Sequence, residues 1–173
     1  MRTAKELLSN YAEYHRDRRN IATHFVGIPM IVFSVAVLLS RLHIPLGPQW
    51  LSAATVTWVL TTVFYLSRHL VLGGATSLAY GLAIWFAQGY ANGPFSTWIS
   101  VGVGGFVVGW IIQFIGHYYE GRKPAFVDDL VGFLIGPMFV VAETLFAMGV
   151  CLELHEHIVA TAGPTRIRDM SRA

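Results

Sequence analysis

Five long apolar stretches alternate with short polar segments along the 173-residue chain. They occupy residues 25–42, 49–66, 71–91, 95–115 and 130–152. A helix needs about 20 such residues to cross the hydrocarbon core of a bilayer. The pattern therefore predicts an all-α fold: a polytopic integral membrane helical bundle with about five transmembrane helices, in a single membrane domain over residues 1–160.

The two ends of the chain show other patterns. Within residues 5–20, Leu7, Leu8, Tyr11 and Tyr14 recur at spacings of three and four, which predicts an N-terminal amphipathic helix lying at the membrane surface. Residues 161–173 combine Gly, Pro, Thr and Arg without periodicity. We expect this segment to be a disordered tail.

Composition supports the membrane interpretation. Hydrophobic residues make up 54% of the chain and charged residues 13%, whereas soluble domains carry about 25% charge. Five apolar runs leave too little polar surface for a soluble helical bundle. The small net charge of +2 argues against a nucleic-acid partner. The single cysteine, Cys151, excludes an intrachain disulfide and a cysteine-based metal cluster.

The basic residues predict an orientation. With five spans, the N-terminus, the second loop and the fourth loop share one side, which holds eight of the twelve Lys and Arg. The positive-inside rule places that side in the cytoplasm, and we expect a bacterial inner membrane. The three arginines of the tail would also prefer this side, and a re-entrant run, which gives an even number of crossings, would place them there. The polar first 20 residues show no cleavable signal peptide.

Four histidines, His15, His24, His69 and His117, fall on the predicted cytoplasmic side near span ends. Neutral imidazole is the commonest protein metal ligand, so their convergence predicts a metal site. The alternative for each is an amphipathic anchor at the membrane surface. His15 and His24 would lie on opposite faces of a continuous helix. They can share an ion only if the chain bends, which we place at residues 17–20 with Asn20 as a helix N-cap.

A second polar stretch follows the fourth run. His117 and Glu120 are three residues apart and share a face if the helix continues. They would supply two ligands, or one ligand and the acceptor that orients it. Arg122 and Lys123 suit either a lipid phosphate or a substrate carboxylate. Glu143 lies inside the last run, where it needs an interior partner for either a structural or a functional role.

Together these residues resemble a known family, the yeast-type 2-hydroxy fatty acid dioxygenases of fatty acid α-oxidation, over about residues 5–150. The motifs that carry the resemblance are Tyr14-His15, Asn20, His24, Gly27-Ile28-Pro29, Gln113-Phe114-Ile115-Gly116-His117, Glu120-Gly121-Arg122-Lys123-Pro124-Ala125 and Asp128.

The resemblance implies an Fe(II)-dependent oxidation in which a 2-hydroxy fatty acid and O₂ give CO₂ and the acid one carbon shorter. It implies His15, His24 and His117 as iron ligands, to which topology adds His69. Glu120 and Asn20 would support the site, and Arg122 and Lys123 would bind substrate. Zn²⁺ remains an alternative metal. Membrane lipids are expected neighbours, and homo-oligomerisation is left open.

Two other classes of function remain open. A non-catalytic lipid-binding or scaffold protein would use the same basic face without a metal. A small transporter would depend on Glu143. The chain lacks the clustered histidine boxes of membrane desaturases, since His155 and His157 form its only close pair.

Overall fold

A computed structural model of the protein describes residues 2–46, 49–127 and 130–172. These residues are mostly helical, as predicted. In chain order the elements are α1 (Ala4–Ala12), α2 (Arg18–Ser40), β1 (His43–Leu46), β2 (Gln49–Ser52), α3 (Ala53–Arg68), α4 (Leu70–Ala91), α5 (Phe95–Ile99), a π-helical turn (Ser100–Gly104), α6 (Gly105–Glu120), a 3₁₀ turn (Ala125–Val127), α7 (Gly132–Ala147), α8 (Leu152–Ala162) and a final 3₁₀ turn (Met170–Arg172).

The chain divides into two compact units. The first comprises residues 1–28 and 111–173, and the second comprises residues 29–110. Helices α2 and α6 each contribute residues to both units.

Within the part of the chain that the structure describes, three helical segments are long and apolar enough to cross a membrane: Arg18–Ser40, Leu70–Ala91 and Phe95–Glu120. Only 22–33% of the residues in their apolar windows are buried. Large side chains such as Leu78, Trp85 and Phe106 are exposed instead. So much exposed apolar surface suits a lipid environment rather than water.

The predicted count of about five spans is not confirmed. Helix α3 has 16 residues and is about 24 Å long, short of the ~30 Å hydrocarbon core. The last predicted span is broken: α7 and α8 meet at a bend of 116° and count as one further span only if taken together. Gly149 and Cys151 adopt positive φ at this bend, which ends the helix in the manner of a left-handed C-cap. The cytoplasmic assignment, which depended on five crossings, stays a prediction.

The second predicted span also begins later than expected, because residues 49–52 form a strand. Strand β2 pairs antiparallel with β1, with His43 opposite Ser52. Ser52 then caps α3 by accepting the Thr55 N–H, so the helix begins only at Ala53. These two short strands are an exception to the all-α prediction.

In the unit of residues 29–110, α3 packs against α4. Trp58 donates its indole N–H to the Ser77 carbonyl, and a methyl group on Gly73 would overlap the Tyr65 carbonyl. Gly73 therefore sets how closely the two helices approach. Gly102 and Gly105 make similarly close contacts with Leu38 and Ser34.

In the unit of residues 1–28 and 111–173, α1 begins with a capping box between Thr3 and Glu6. Its apolar face, including Leu7, Leu8 and Tyr11, is buried, and α1 packs on α7 and α8. The helix predicted over residues 5–20 is shorter in the structure and ends at Ala12. Its apolar face is covered by protein rather than left for a membrane surface.

The C-terminal tail, expected to be disordered, makes specific contacts in the structure. Residues 160–162 complete α8, and the following segment pairs with the start of α2. Arg166 donates its N–H to the Arg16 carbonyl and accepts from the Arg18 N–H. Asp17 accepts the Arg168 N–H and is held by Arg19, whose side-chain hydrogen bonds lower the pKa of Asp17 to about 2. Backbone pairing needs no periodicity, so the sequence pattern did not indicate these contacts.

We expect Gly73→Ala to destabilise the α3–α4 pair by about 1–3 kcal/mol, because the new methyl group meets backbone that cannot move aside. The matched control is Gly74→Ala on the same helix, where the methyl group would meet nothing within 4 Å. This control should be neutral or stabilising by up to about 1 kcal/mol. The melting temperature of each variant is measured from the fraction of protein that stays folded after heating in detergent. Equal melting temperatures for the two variants would contradict the packing argument.

Candidate metal centre

Three buried histidines meet in the unit of residues 1–28 and 111–173. The sharp turn after α1 carries His15, and the second turn of α2 carries His24. The last turn of α6 carries His117. One ring nitrogen of each lies within 4.8 Å of the others, close enough to bind one metal ion. The predicted convergence of these three residues is thus present, although their role as ligands stays a prediction.

Backbone carbonyls fix the tautomers of two of these rings. His15 Nδ1 lies 2.7 Å from the Tyr11 carbonyl, and His24 Nδ1 lies 2.8 Å from the Asn20 carbonyl. A carbonyl can only accept, so both Nδ1 atoms carry the proton in the neutral rings. Each Nε2 then presents a lone pair, and the two Nε2 atoms face each other at 2.9 Å. Two lone pairs at this distance repel unless a cation lies between them.

A proton is a poor candidate for that cation. His15 is fully buried, and burial holds its pKa well below the usual value, with further lowering from the neighbouring His24 and His117. The ring is therefore neutral at physiological pH, as a metal ligand must be. His15 and His24 would hold a divalent ion through these two Nε2 atoms.

The third histidine leaves a nitrogen unused. His117 Nδ1 is buried and has no hydrogen-bond partner among the described residues. Such orphaned buried groups are rare and call for a ligand, water or ion. Three imidazoles that each place one ring nitrogen within 4.8 Å of the others form a donor set that fits a divalent metal.

One carboxylate holds the site together. Glu120 Oε2 accepts three N–H groups: those of the Arg16 and Asp17 backbones at 3.0 and 2.8 Å, and that of Asn20 Nδ2 at 3.0 Å. It thereby ties the end of α6 to the residues that follow His15. Glu120 acts in the structure as an acceptor from the polypeptide rather than as a fourth member of the histidine group.

Asn20 has a different structural role from the predicted N-cap. Helix α2 begins at Arg18, and the bend lies just before it rather than at residues 17–20. The Asn20 amide instead donates to both Glu120 and the Tyr14 carbonyl. The backbone carbonyl of Asn20 orients the His24 ring. Asn20 therefore supports two parts of the site at once.

A glycine allows α6 to approach α2 beside the histidines. A methyl group on Gly116 would overlap Thr23 Oγ1 and lie 2.5 Å from Asn20 Oδ1. The Gly-His pair in the motif therefore has a steric reason, because only glycine permits His117 to come this close to α2.

The structure does not bring His69 into this group. His69 belongs to the unit of residues 29–110. There it caps α4, and its Nδ1 accepts the Leu72 N–H. One of its two nitrogens is thus already in use, and its predicted role as a fourth ligand stays a prediction.

The predicted substrate-binding residues line an open cavity of about 630 Å³ next to the site. His117, Arg122 and Lys123 all contribute to its wall. Arg122 also donates to the Glu13 carbonyl. Asp128, part of the sequence motif, lies outside the described residues.

Two neighbours of the histidines make contacts at the site, or lack partners there, in ways that the sequence pattern did not predict. Tyr11 stacks on His15 with ring centroids 4.1 Å apart, a contact that its i, i+4 spacing could have indicated. Gln113 is buried one turn before His117, and neither of its amide atoms has a hydrogen-bond partner among the described residues. Gln113 begins the motif that ends at His117, but the motif did not indicate that its amide is buried.

Glu143, the residue on which a transporter would depend, has a charged neighbour. Burial lowers the pKa of Arg16, and the carboxylates of Glu143 and Glu120 oppose that shift. Arg16 also donates to the carbonyls of His15 and Gly163. This placement supports a structural role for Glu143 near the site.

Replacing Glu120 by Gln should weaken metal binding about 10- to 100-fold, the usual cost of losing a group that supports metal ligands. The amide keeps the size of the side chain but loses the charge that attracts three N–H donors. Anaerobic titration with Co²⁺, whose absorption reports nitrogen ligation, measures the affinity. Glu156→Gln, which alters an exposed carboxylate on α8, is the control, and equal affinities for all three proteins would contradict this role.

Comparisons with known proteins identify the family of the chain. The family described as 2-hydroxy-palmitic acid dioxygenase Mpo1-like matches residues 1–148. The 2-hydroxy-palmitic acid dioxygenase MPO1 of Saccharomyces cerevisiae is 33% identical over 147 residues, which cover 82% of this chain and 79% of the relative. No solved structure matches. The resemblance found in the sequence is confirmed: the chain belongs to the 2-hydroxy-palmitic acid dioxygenase Mpo1-like family.

Proposed function

We propose that this protein is an Fe(II)-dependent dioxygenase that converts a 2-hydroxy fatty acid and O₂ into the fatty acid one carbon shorter, CO₂ and water. The observation that carries the proposal is the set of three buried imidazoles with two facing Nε2 atoms and one orphan Nδ1. The name of the yeast relative supplies the substrate class.

The reaction balances without a further reductant. Oxidation of the C2 carbon to a carboxyl group and loss of C1 as CO₂ release four electrons, and these reduce one O₂ completely. The oxygen atoms of O₂ and of the substrate are all accounted for in the shorter acid, CO₂ and water. The protein therefore needs no 2-oxoglutarate and no reductase partner.

Three protein ligands suit such a reaction because they leave coordination positions open. A 2-hydroxy acid can chelate through its hydroxyl and carboxylate groups, and O₂ needs one more position. When bound, iron would supply the one-electron steps that let triplet O₂ react with a closed-shell substrate. Zn²⁺ would fit the same nitrogens but has no redox chemistry.

The remaining residues of the site would hold the histidines in place and orient the substrate. Tyr11 and the two backbone carbonyls fix the planes of the His15 and His24 rings. Glu120 and Asn20 keep the turn at residues 15–17 against α6. Arg122 and Lys123 place positive charge on the cavity wall, where it would attract the acid group of the substrate.

The membrane-spanning helices suit a substrate with a long acyl chain. Exposed Phe114 and Tyr118 lie one turn apart on α6 at the cavity, so an acyl chain could pass from the cavity to surrounding lipid. We further propose that the site faces the cytoplasm from a bacterial inner membrane, as the distribution of basic residues predicts.

The test is turnover by protein purified in detergent and loaded anaerobically with Fe(II). With 2-hydroxyhexadecanoate and O₂ we expect equimolar pentadecanoate and CO₂, each matching the O₂ consumed. Hexadecanoate and 3-hydroxyhexadecanoate should give no CO₂, since neither can chelate through adjacent hydroxyl and carboxylate groups. Folded, iron-loaded protein that consumes no O₂ with the 2-hydroxy acid would refute the proposal.

Histidine variants connect this activity to the site. His24→Ala and His117→Ala should lose iron, measured by elemental analysis, together with activity. His69→Ala should retain both, because its Nδ1 already serves the α4 cap. Loss of iron in His69→Ala would instead add that residue to the ligand set, whereas full iron content in His24→Ala and His117→Ala would place the metal elsewhere.

A further inference from the structure

The C-terminal tail places a cation at the cavity. The Arg168 N–H donates to Asp17 Oδ2 at 2.7 Å, and the Arg168 carbonyl accepts from Arg19 at 2.8 Å. Arg16 donates to the Gly163 carbonyl at 2.7 Å, which holds the beginning of the same segment. The backbone of Arg168 is thus fixed on both sides, by Asp17 and Arg19, which lie within four residues of His15.

The side chain of Arg168 is also confined. Its guanidinium lies against Gly121, where φ is +71° and a methyl group would overlap it. The residue is half-buried. Among the residues that the structure describes, no hydrogen-bond acceptor or carboxylate partners this guanidinium, although it carries five N–H donors. A confined cation without an acceptor is a natural position for an anionic ligand.

The cavity around Arg168 has the character of a carboxylate site. His117, Arg122 and Lys123 share its wall, and no Asp or Glu is among the described residues that line it. Phe114, Tyr118 and Met170 provide its apolar surface. Its volume of about 630 Å³ falls within the usual range for small-molecule sites. Positive charge and apolar surface together match the two ends of a fatty acid.

We propose that Arg168 binds the carboxylate of the substrate, which makes the tail segment 163–170 part of the active site. This inference rests on the proposed function for the identity of the ligand. The family match ends at residue 148, so none of the shared motifs contains this arginine.

Arg168 suits this role better than the two cations predicted from the sequence. Arg122 already donates to the Glu13 carbonyl and lies over the Tyr14 ring, which directs part of its guanidinium away from the cavity. Lys123 offers a point charge without the planar geometry that pairs with both oxygens of a carboxylate. Arg168 combines that geometry with a backbone held in place.

Anaerobic equilibrium binding tests the proposal, because binding is then measured without turnover. Radiolabelled 2-hydroxyhexadecanoate is titrated into iron-loaded, full-length protein in detergent. Arg168→Ala should weaken binding about 10- to 100-fold, the cost of one charge-assisted pair. Arg168→Lys should recover only part of the loss. The matched control is Arg166→Ala, an exposed arginine of the same tail, which contributes backbone hydrogen bonds and should bind normally.

The methyl ester of the same acid separates charge recognition from a merely structural role. Arg168→Ala should leave ester binding and iron content unchanged. An equal loss of affinity for the acid and for the ester would overturn the proposal. It would also be overturned if the substitution changed only how well anionic phospholipid competes with the acid for binding. The two proposals can fail separately. If the wild-type protein binds the acid in a way that depends on Arg168 but consumes no O₂, the dioxygenase function is refuted and the carboxylate site is supported.

In the presence of O₂, the same variants should separate binding from chemistry. Arg168→Ala should raise KM for the 2-hydroxy acid with a smaller effect on kcat, because the metal ligands and their supports are untouched. A fall in kcat alone, with KM unchanged, would contradict a role in binding the substrate.

Discussion

Oxygen Oε2 of Glu120 joins parts of the chain that are about a hundred residues apart in sequence. It accepts two consecutive backbone N–H groups, from Arg16 and Asp17, and the side-chain amide of Asn20. Charged acceptors make the stronger hydrogen bonds, and burial strengthens them further. These bonds fix the turn that carries His15 against the helix that carries His117. Without them, no local structure would keep the two histidines together.

The geometry of the candidate metal centre follows from this constraint and from a second one. The backbone carbonyls of Tyr11 and Asn20 accept hydrogen bonds from Nδ1 of His15 and His24. The Nε2 lone pairs of the two rings then face each other. Each of these carbonyls precedes its histidine by four residues. Helical spacing therefore selects the tautomer, and Glu120 and Gly116 select the approach of the third ring. The site is prepared for an ion mainly by backbone groups, which metal-ligand motifs do not describe.

The sequence predicted those parts of the molecule that depend on local pattern. Apolar runs located α2, α4 and the long segment that ends at Glu120, and a spacing of three placed His117 and Glu120 on one helical turn. Features that depend on non-local pairing could not be predicted. Asn20 was expected to cap a helix, but its partner lies a hundred residues away. The bend between α7 and α8 depends on a positive φ at Cys151, a conformation that the residue type does not favour.

The position of the histidines along their helices relates the site to the proposed substrate. His24 is the seventh residue of α2, about 9 Å from its beginning, and His117 is about 5 Å from the end of α6. Both therefore lie near the polar ends of segments whose remaining surface is exposed and apolar. A long-chain 2-hydroxy acid in a bilayer has the same division, with its acyl chain in the hydrocarbon and its ionised head at the interface. A metal centre deeper in the span would require the carboxylate to leave water, at a cost of several kcal/mol. Placing the imidazoles near the helix ends keeps the path of the head group from the interface to the site short.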